Sequence, residues 1–390
     1  PNKPVSFFVF DKEALGRKEL IDRLDEKFHS DMEWYKYKSG FGAEIFFIEA
    51  ALADHPWKTK KWQSADLLIL PLPIGFCAHG RKWASGKEGF AQCGDKLKQQ
   101  MAAIKKHPAY DYRARRMRFL IATVDPLAKT RDMNGFLGAN LDDWIVGTRL
   151  PSYPDLGQRC SVTMPLVSQL PNGTVASLED DFDARPIRSF FIGEMGREEF
   201  KYRRLIASLM KGVAERQCAQ GQTFPTSSTS SLDVYIRTDS TALPACELAC
   251  YDTPPGCVSC AIDKRNPAAK LNGKMREAQY GWMSQNIGDK SDFTRLYDIL
   301  TAGAVPVFVG SEQVVQLYSQ LPFTKMIPWR HMTLQVKSCE GCAVDKCAAD
   351  GDADLTFEGG TSAREMVSRY AMNVLWQVQP KVVFTNVLLS

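Results

Sequence analysis

"DFTRLYDILTAGAVPVFVG", residues 292–310, is the stretch on which the reading of this chain turns. Phe293, Leu296, Tyr297 and Leu300 recur at i, i+3, i+4 and i+7, the spacing of one buried helix stripe. Ser291 or Asp292 is placed to cap the helix start, where free backbone N–H groups favour an anion. Gly303 suits the left-handed conformation that ends a helix, after which "AVPVFVG" reads as a strand. Pro306 has no N–H for a ladder, so that strand is expected at an edge, or with Pro306 where no N–H is needed. Packing alone calls for neither Arg295 nor Asp298, which stand three apart and share a face. "GDK" (288–290) sets Gly288 and Lys290 just ahead of the helix. Such a loop–helix–strand unit suits a bound diphosphate, with Asp298 accepting from sugar hydroxyls. The same pair also reads as an ordinary surface ion pair.

The rest of the 390 residues is of ordinary globular make-up: 44% hydrophobic, 24% charged, mean hydropathy −0.26. That length favours two domains over one core. No apolar run reaches the roughly 18–20 residues that span a bilayer. The sequence opens on "PNKPVSFFVFD" without Met, which fits a trimmed N-terminus that carried any signal or anchor. A net charge of +4 gives no reason to expect nucleic acid.

Short apolar runs alternate with helical stretches. "VSFFVF" (5–10), "ADLLILPLPIGF" (65–76), "MRFLIATVD" (117–125) and "DDWIVG" (142–147) read as strands, with helices over "GAEIFFIEAALADH" (42–55) and "GDKLKQQMAAIKKH". Residues 151–186 read as linker and irregular structure. A second alternation follows: "RSFFIGEM" (188–195), a helix over "REEFKYRRLIASLMKGVAERQ", "LDVYIRT" (232–238), then the stretch quoted above, then a long amphipathic helix over 362–378. This rhythm argues for two α/β halves, each a mostly parallel sheet with helices on both faces. Functional groups in such sheets gather at the carboxyl ends of strands, which singles out Asp125 and the 72–80 loop.

Of eleven cysteines, Cys246, Cys250, Cys257 and Cys260 form one cluster and Cys339, Cys342 and Cys347 another; Cys77, Cys93, Cys160 and Cys218 are scattered. "CELACYDTPPGCVSC" has zinc-like spacings, but it lies in Pro/Gly/Asp-rich sequence without histidine. Disulfides of a secretory protein are the favoured reading, and "NGT" at Asn172 supplies a glycosylation sequon. The basic runs "KTKK" (58–61) and "YRARRMR" (112–118) read as solvated faces or contacts for an anionic acceptor. Trp57, Trp62 and Trp83 are packing residues or platforms for stacked sugars.

These features together resemble the exostosin-like glycosyltransferases. That family shows an Arg–Leu–x–Asp/Glu run ending in Ala–Gly–x–x–Pro–Val, then Leu–Pro–Phe and an Ile–x–Trp segment. Arg295, Asp298, Gly303, Pro306, Leu321, Pro322, Phe323 and Trp329 stand at the matching places. "SFFVFD", "FFIEAALADHPWKTKKWQSADLLILPLP" and "RSFFIGEMGREEFKYRRLI" resemble its N-terminal and central segments, with Arg203 matching its helix arginine. "YGWMSQNIGDKSD" departs from the usual proline-containing phosphate loop, and Arg118 stands where the family has a histidine. The resemblance implies a GT-B fold, two Rossmann-like parallel-sheet domains facing a cleft. The expected division is an acceptor-side domain over 1–185, a nucleotide-sugar domain over 186–361, and a C-terminal helix over 362–390 packing back across them.

It further implies an inverting, metal-independent transferase taking a UDP-sugar donor, with no other cofactor, and a glycan or glycoprotein acceptor. The implied address is the Golgi lumen, reached as a type II membrane protein through an N-terminal anchor. Arg203, Gly288, Lys290, Ser291 and Arg295 would neutralise the departing diphosphate, and Asp298 would hold the ribose. Asp125, Glu49 and His79 are the candidate bases. Two other readings stand beside this one: an inactive glycosyltransferase-like binding module, and a transferase using a GDP-sugar such as GDP-fucose. The transferred sugar, the acceptor and the oligomeric state are not legible.

Overall fold

The computed structural model describes residues 4–16, 35–36, 42–77, 87–114, 119–122, 144–148, 161–168, 170, 182–185, 187–193, 206, 231–236, 258–262, 275–284, 293–310, 318, 321–337, 360–376 and 378–390. The chain forms two compact units. The first comprises Pro1–Gln169, Gln320–Phe323 and Asn373–Ser390; the second comprises Leu170–Ser319 and Thr324–Met372.

In the first unit, β1 (Phe7–Val9) is followed by α1 (Lys12–Leu15), α2 (Ala43–Leu52), β2 (Leu67–Ile69), α3 (Lys87–Lys106), α4 (Pro108–Ala114), β3 (Phe119–Ala122), β4 (Ile145–Thr148) and β5 (Ser161–Thr163). The five strands lie in the order β1-β2-β3-β4-β5, every pair parallel. On the outer side of β1, Phe7 bridges Lys58: Phe7 N–H donates to the Trp57 carbonyl (3.0 Å) and Thr59 N–H to the Phe7 carbonyl (2.8 Å). The chain therefore leaves β1 toward one side and returns on the other, so the order reverses between β1 and β2. Side-chain alternation along β1 serves both faces of the sheet. Phe8 and Phe10 join Leu97, Met101 and Ile104 of α3 in one cluster, while the Phe7 ring lies 5.3 Å from Phe384. Each such buried phenylalanine contributes about 1.5–3 kcal/mol.

The second unit contains β6 (Ile187–Gly193), β7 (Ser231–Ile236), β8 (Val258–Ile262), β9 (Ala278–Ser284), α5 (Phe293–Thr301), β10 (Val305–Gly310), α6 (Trp329–Met332), β11 (Leu334–Lys337) and α7 (Gly360–Tyr370). Its sheet runs β11-β10-β9-β6-β7-β8, again with every pair parallel. The chain builds outward from β6 through β7 to β8, then crosses back to β9 and builds the other way. The order thus reverses between β6 and β9. Two parallel-sheet α/β units are the fold class expected from the alternation. Among the described residues, no helix is long and apolar enough to cross a membrane.

Several expectations are corrected. The 151–186 stretch is not all irregular, because Ser161–Thr163 pairs with β4 as a fifth strand and Met164–Val167 are buried behind it. Its one apolar residue between Ser and Thr carries too little pattern to read. Cys260 lies on β8 opposite Val234, so the first cysteine cluster is not all loop. The helix expected over 362–378 stops early: α7 ends at Tyr370 and passes into a 3₁₀ turn over Ala371–Asn373, and a separate helix, α8 (Pro380–Leu389), begins beyond the stretch with Pro380 in its first turn. Between them Trp376 is fully buried and its indole N–H donates to the Pro165 carbonyl at 2.9 Å. β10 is an interior strand, so Pro306 takes the second of the places allowed for it, where no N–H is needed. Pro306 is tolerated because the ladder to β11 begins one residue later, at Val307.

Candidate functional site

In open parallel α/β sheets, ligands bind beyond the carboxyl ends of the strands where the strand order reverses. In the second unit that point lies beyond Gly193 of β6 and Ser284 of β9. The chain leaving β9 carries Gly288, Lys290 and Ser291 before α5, and the chain leaving β6 carries Arg203. These four residues lie outside the described residues, as does the side chain of Phe293.

The helix itself is well described. Leu296, Tyr297 and Leu300 are at most 2% exposed, as the stripe requires, and Ile299 is buried as well. Gly303 has φ 67° and closes the helix as a Schellman motif. Its N–H donates to the Leu300 carbonyl (3.0 Å), and Ala304 N–H to that of Ile299 (3.1 Å). Arg295 Nη1 donates to Asp298 Oδ2 at 3.1 Å; the arginine side chain is 28% exposed and the aspartate 2%. This is not a surface pair. A carboxylate buried in the second turn of the helix holds a guanidinium that keeps an outlet to solvent, near the positive end of the helix dipole.

In the first unit the reversal lies beyond β1 and β2, where the chain emerges as Asp11 and as the turn over 70–77. Asp11 accepts from Ala14 N–H at 3.0 Å, capping α1, and its other oxygen lies 3.4 Å from Lys58 Nζ. Three links fix the 70–77 turn. Glu44, in the first turn of α2 and fully buried, accepts from Gly75 N–H at 2.8 Å and also from Phe76 N–H. Gln100 of α3 donates to the Pro71 carbonyl at 3.4 Å. Cys77 forms a disulfide with Cys93 of α3, their Cα atoms 5.5 Å apart. Residue 75 is glycine because a Cβ there would lie 2.7 Å from Glu44 Oε2.

Of the three base candidates, Glu49 is described. It is an exposed residue whose Oε2 lies 2.7 Å from Nζ of the buried Lys36. Its helix starts at the carboxyl edge of the sheet, and Glu49 is six residues further down, about 9 Å along the axis. Asp125 and His79 lie outside the described residues. The carboxylate that serves this edge is Glu44, which the sequence reading passed over. No local signal separates it from Glu49, since "AEIFFIEAAL" carries both acids. The Cys77–Cys93 bridge joins two scattered cysteines; apart from the backbone of Cys260, the two clusters lie outside the described residues.

No family model matches the chain, and no curated protein matches it. Among solved structures it is similar to "Trehalose-6-phosphate from E. coli bound with UDP-2-fluoro glucose" (TM-score 0.41, 10% identity, 92% of this chain and 85% of that one). It is also similar to an "alpha-glucosyltransferase in complex with UDP-glucose and DNA containing an abasic site" (TM-score 0.37, 11% identity, 83% of each chain). A third is a putative UDP-N-acetylglucosamine 2-epimerase from Listeria monocytogenes (TM-score 0.39, 7% identity, 97% and 94%). With every TM-score below 0.5, the fold class rests on the two parallel sheets and their strand orders.

Proposed function

We propose that this protein is a glycosyltransferase of GT-B type that moves a sugar from a UDP-sugar to a glycan or glycoprotein hydroxyl. The observation that carries the reading is the Arg295–Asp298 pair in the first two turns of α5, beside the strand-order reversal at β6 and β9. Transfer with inversion requires a base to take the acceptor hydroxyl proton as its oxygen bonds to C1 of the sugar. The C1–O bond to the diphosphate breaks in the same displacement, and its electron pair leaves on the β-phosphate. Arg295, held by Asp298, offsets that charge, with Arg203, Lys290, Ser291 and the amide of Gly288 as its partners by chain position. In this reading no metal takes part.

Asp125 and His79 remain the candidate bases, since both follow strands β3 and β2 of the first unit on the carboxyl side. Glu49, on α2 and paired with the buried Lys36, is the third candidate. A lumenal Golgi address behind an N-terminal anchor completes the proposal, supported by the disulfide and the sequon at Asn172.

The test is release of free nucleotide from a panel of UDP- and GDP-sugars with mixed glycan and glycopeptide acceptors, in EDTA, with nucleotide binding followed by thermal shift. Acceptor-dependent turnover of a UDP-sugar that is lost in Arg295→Ala is the expected result. Turnover of a GDP-sugar alone would replace the donor, and failure to bind any nucleotide would overturn the reading.

A further inference from the structure

The first unit also holds a cavity of about 660 Å³ along the outer edge of β1, within the roughly 300–1,000 Å³ of ligand pockets. The nucleotide reading makes no use of it. One wall is aromatic: the His107 ring lies 5.7 Å from Phe8 and 6.4 Å, edge-on, from Trp62. The facing groups are charged, but nearly balanced. Lys58 Nζ lies 3.4 Å from Asp11 and donates to the Leu52 carbonyl at 2.9 Å, and Lys60 lies 3.6 Å from Glu13. Asp54, exposed, has no side-chain partner among the described residues.

His107 Nδ1 accepts from Ala109 N–H at 3.1 Å, which leaves the proton of the neutral ring on Nε2 as a donor. Desolvation lowers the pKa of this imidazole, so the ring is neutral at pH 7. His55 is neutral for the same reason, with Lys381 adding to the effect. Three carboxylates thus face two ammonium groups, both of which already have carboxylate partners.

That charge set selects among ligands. A phosphate, a nucleotide or a uronate would meet no net positive charge, since Lys58 and Lys60 face Asp11 and Glu13 and Asp54 stands beside them. A cation would meet carboxylates that are mostly satisfied. What fits is an uncharged molecule with an apolar face for Trp62 and a rim of hydroxyls. Those hydroxyls donate to Asp54 and accept from the ammonium and imidazole N–H groups. We propose that this cavity is a binding subsite for a neutral pyranose residue, carried wholly by the first unit. Within the run "KTKK", Lys58 and Lys60 face Asp11 and Glu13. The proposal needs neither donor nor transfer, so it stands or falls apart from the transferase reading.

The experiment is saturation-transfer NMR and titration of the whole protein. The probes are the methyl β-glycosides of glucose, galactose and xylose, with methyl glucuronide and glucose 6-phosphate as anionic counterparts. At least one neutral glycoside should bind in about the millimolar range, with its C–H face taking most of the saturation. The anionic probes should bind at least about tenfold more weakly, and Trp62→Ala should weaken the neutral sugar about tenfold. Asp54→Ala removes an exposed, unpartnered carboxylate, so its fold is undisturbed; it should weaken the sugar severalfold and leave the UDP thermal shift unchanged. No neutral binding at roughly 10 mM would overturn the proposal, as would anions binding as well as neutral sugars. So would binding indifferent to both substitutions. Loss of UDP binding beside intact sugar binding would count against the transferase reading alone.

Discussion

Glu44 and Gly75 are thirty-one residues apart in sequence and 2.8 Å apart in space, from the glutamate Oε2 to the glycine N–H. Burying a carboxylate is costly, and two backbone donors offset that cost by hydrogen-bonding the charged form. The contact also dictates composition on both sides: an acid in the first turn of α2, and a residue without Cβ at 75. It ties the helix that follows β1 to the turn that follows β2, the two elements beside the reversal of strand order.

Glu44→Ala leaves the Gly75 and Phe76 N–H groups buried without an acceptor. At about 1–3 kcal/mol for each, the substitution should cost about 2–6 kcal/mol in urea unfolding. Glu44→Gln keeps one acceptor oxygen and should cost about half as much. Gly75→Ala should cost about 1–3 kcal/mol in the natural background and clearly less beside Glu44→Ala, because the clash is then relieved. Equal costs in both backgrounds would show that the close approach does not couple the two residues.

The Cys77–Cys93 bridge closes a segment of 16 residues. Cross-linking a loop of that length stabilises by about 3 kcal/mol, chiefly by restricting the unfolded chain. Reductant should lower the urea midpoint of the natural protein and leave that of Cys77→Ala/Cys93→Ala unchanged. Both cysteines are 3% exposed, which makes alanine, and not serine, the suitable replacement. A midpoint indifferent to reductant would mean that the bridge does not form or does not restrain the unfolded chain.

Arg295→Ala removes the ion-pair partner at 3.1 Å from the buried carboxylate of Asp298. Breaking a buried ion pair by removing one partner costs about 3–5 kcal/mol, and the partial exposure of Arg295 sets the expectation at the low end. Adding Asp298→Asn should recover much of that loss, since a neutral amide is left in place of the charge. Nucleotide binding separates structure from function here. If Arg295 meets the diphosphate, the double variant regains stability without regaining the UDP thermal shift.

The sequence carried the fold class because β-α alternation and helix spacing are local signals, and in "DFTRLYDILTAGAVPVFVG" cap, stripe and terminator all agree. It located the Arg295–Asp298 pair by the same logic, three residues apart on one helix. It did not reveal Glu44, whose partners lie in another segment; nothing in "AEIFFIEAAL" tells whether Glu44 or Glu49 is the buried acid. Strand β5 escaped because a three-residue strand has almost no period to read. The interior position of Pro306 depends on a register offset between β10 and β11, which is set by tertiary packing. Pairing of Cys77 with Cys93 is also non-local, and the conspicuous clusters drew the eye from it.

His55 and His107 give the first unit a pH response of definite sign. Burial is the main reason that both imidazoles titrate below the ordinary value of 6.5, with Lys381 adding to the effect at His55. As pH falls below that value the unfolded chain takes up these protons first, so it binds more protons than the folded one. Stability then falls with acidification until the folded pKa is passed, and is flat with respect to these groups above about pH 7. Urea midpoints measured from roughly pH 8 to pH 5 should therefore decline on the acid side. The decline should be shallower in His107→Gln and in His55→Gln, and shallowest in the double variant. His55 also makes a 3.1 Å contact from Nε2 to Thr385 Oγ1, so its substitution should lower the whole curve as well as flatten it. A midpoint that rises on acidification, or an unchanged slope in the double variant, would show that these imidazoles are not what the acid limb reports.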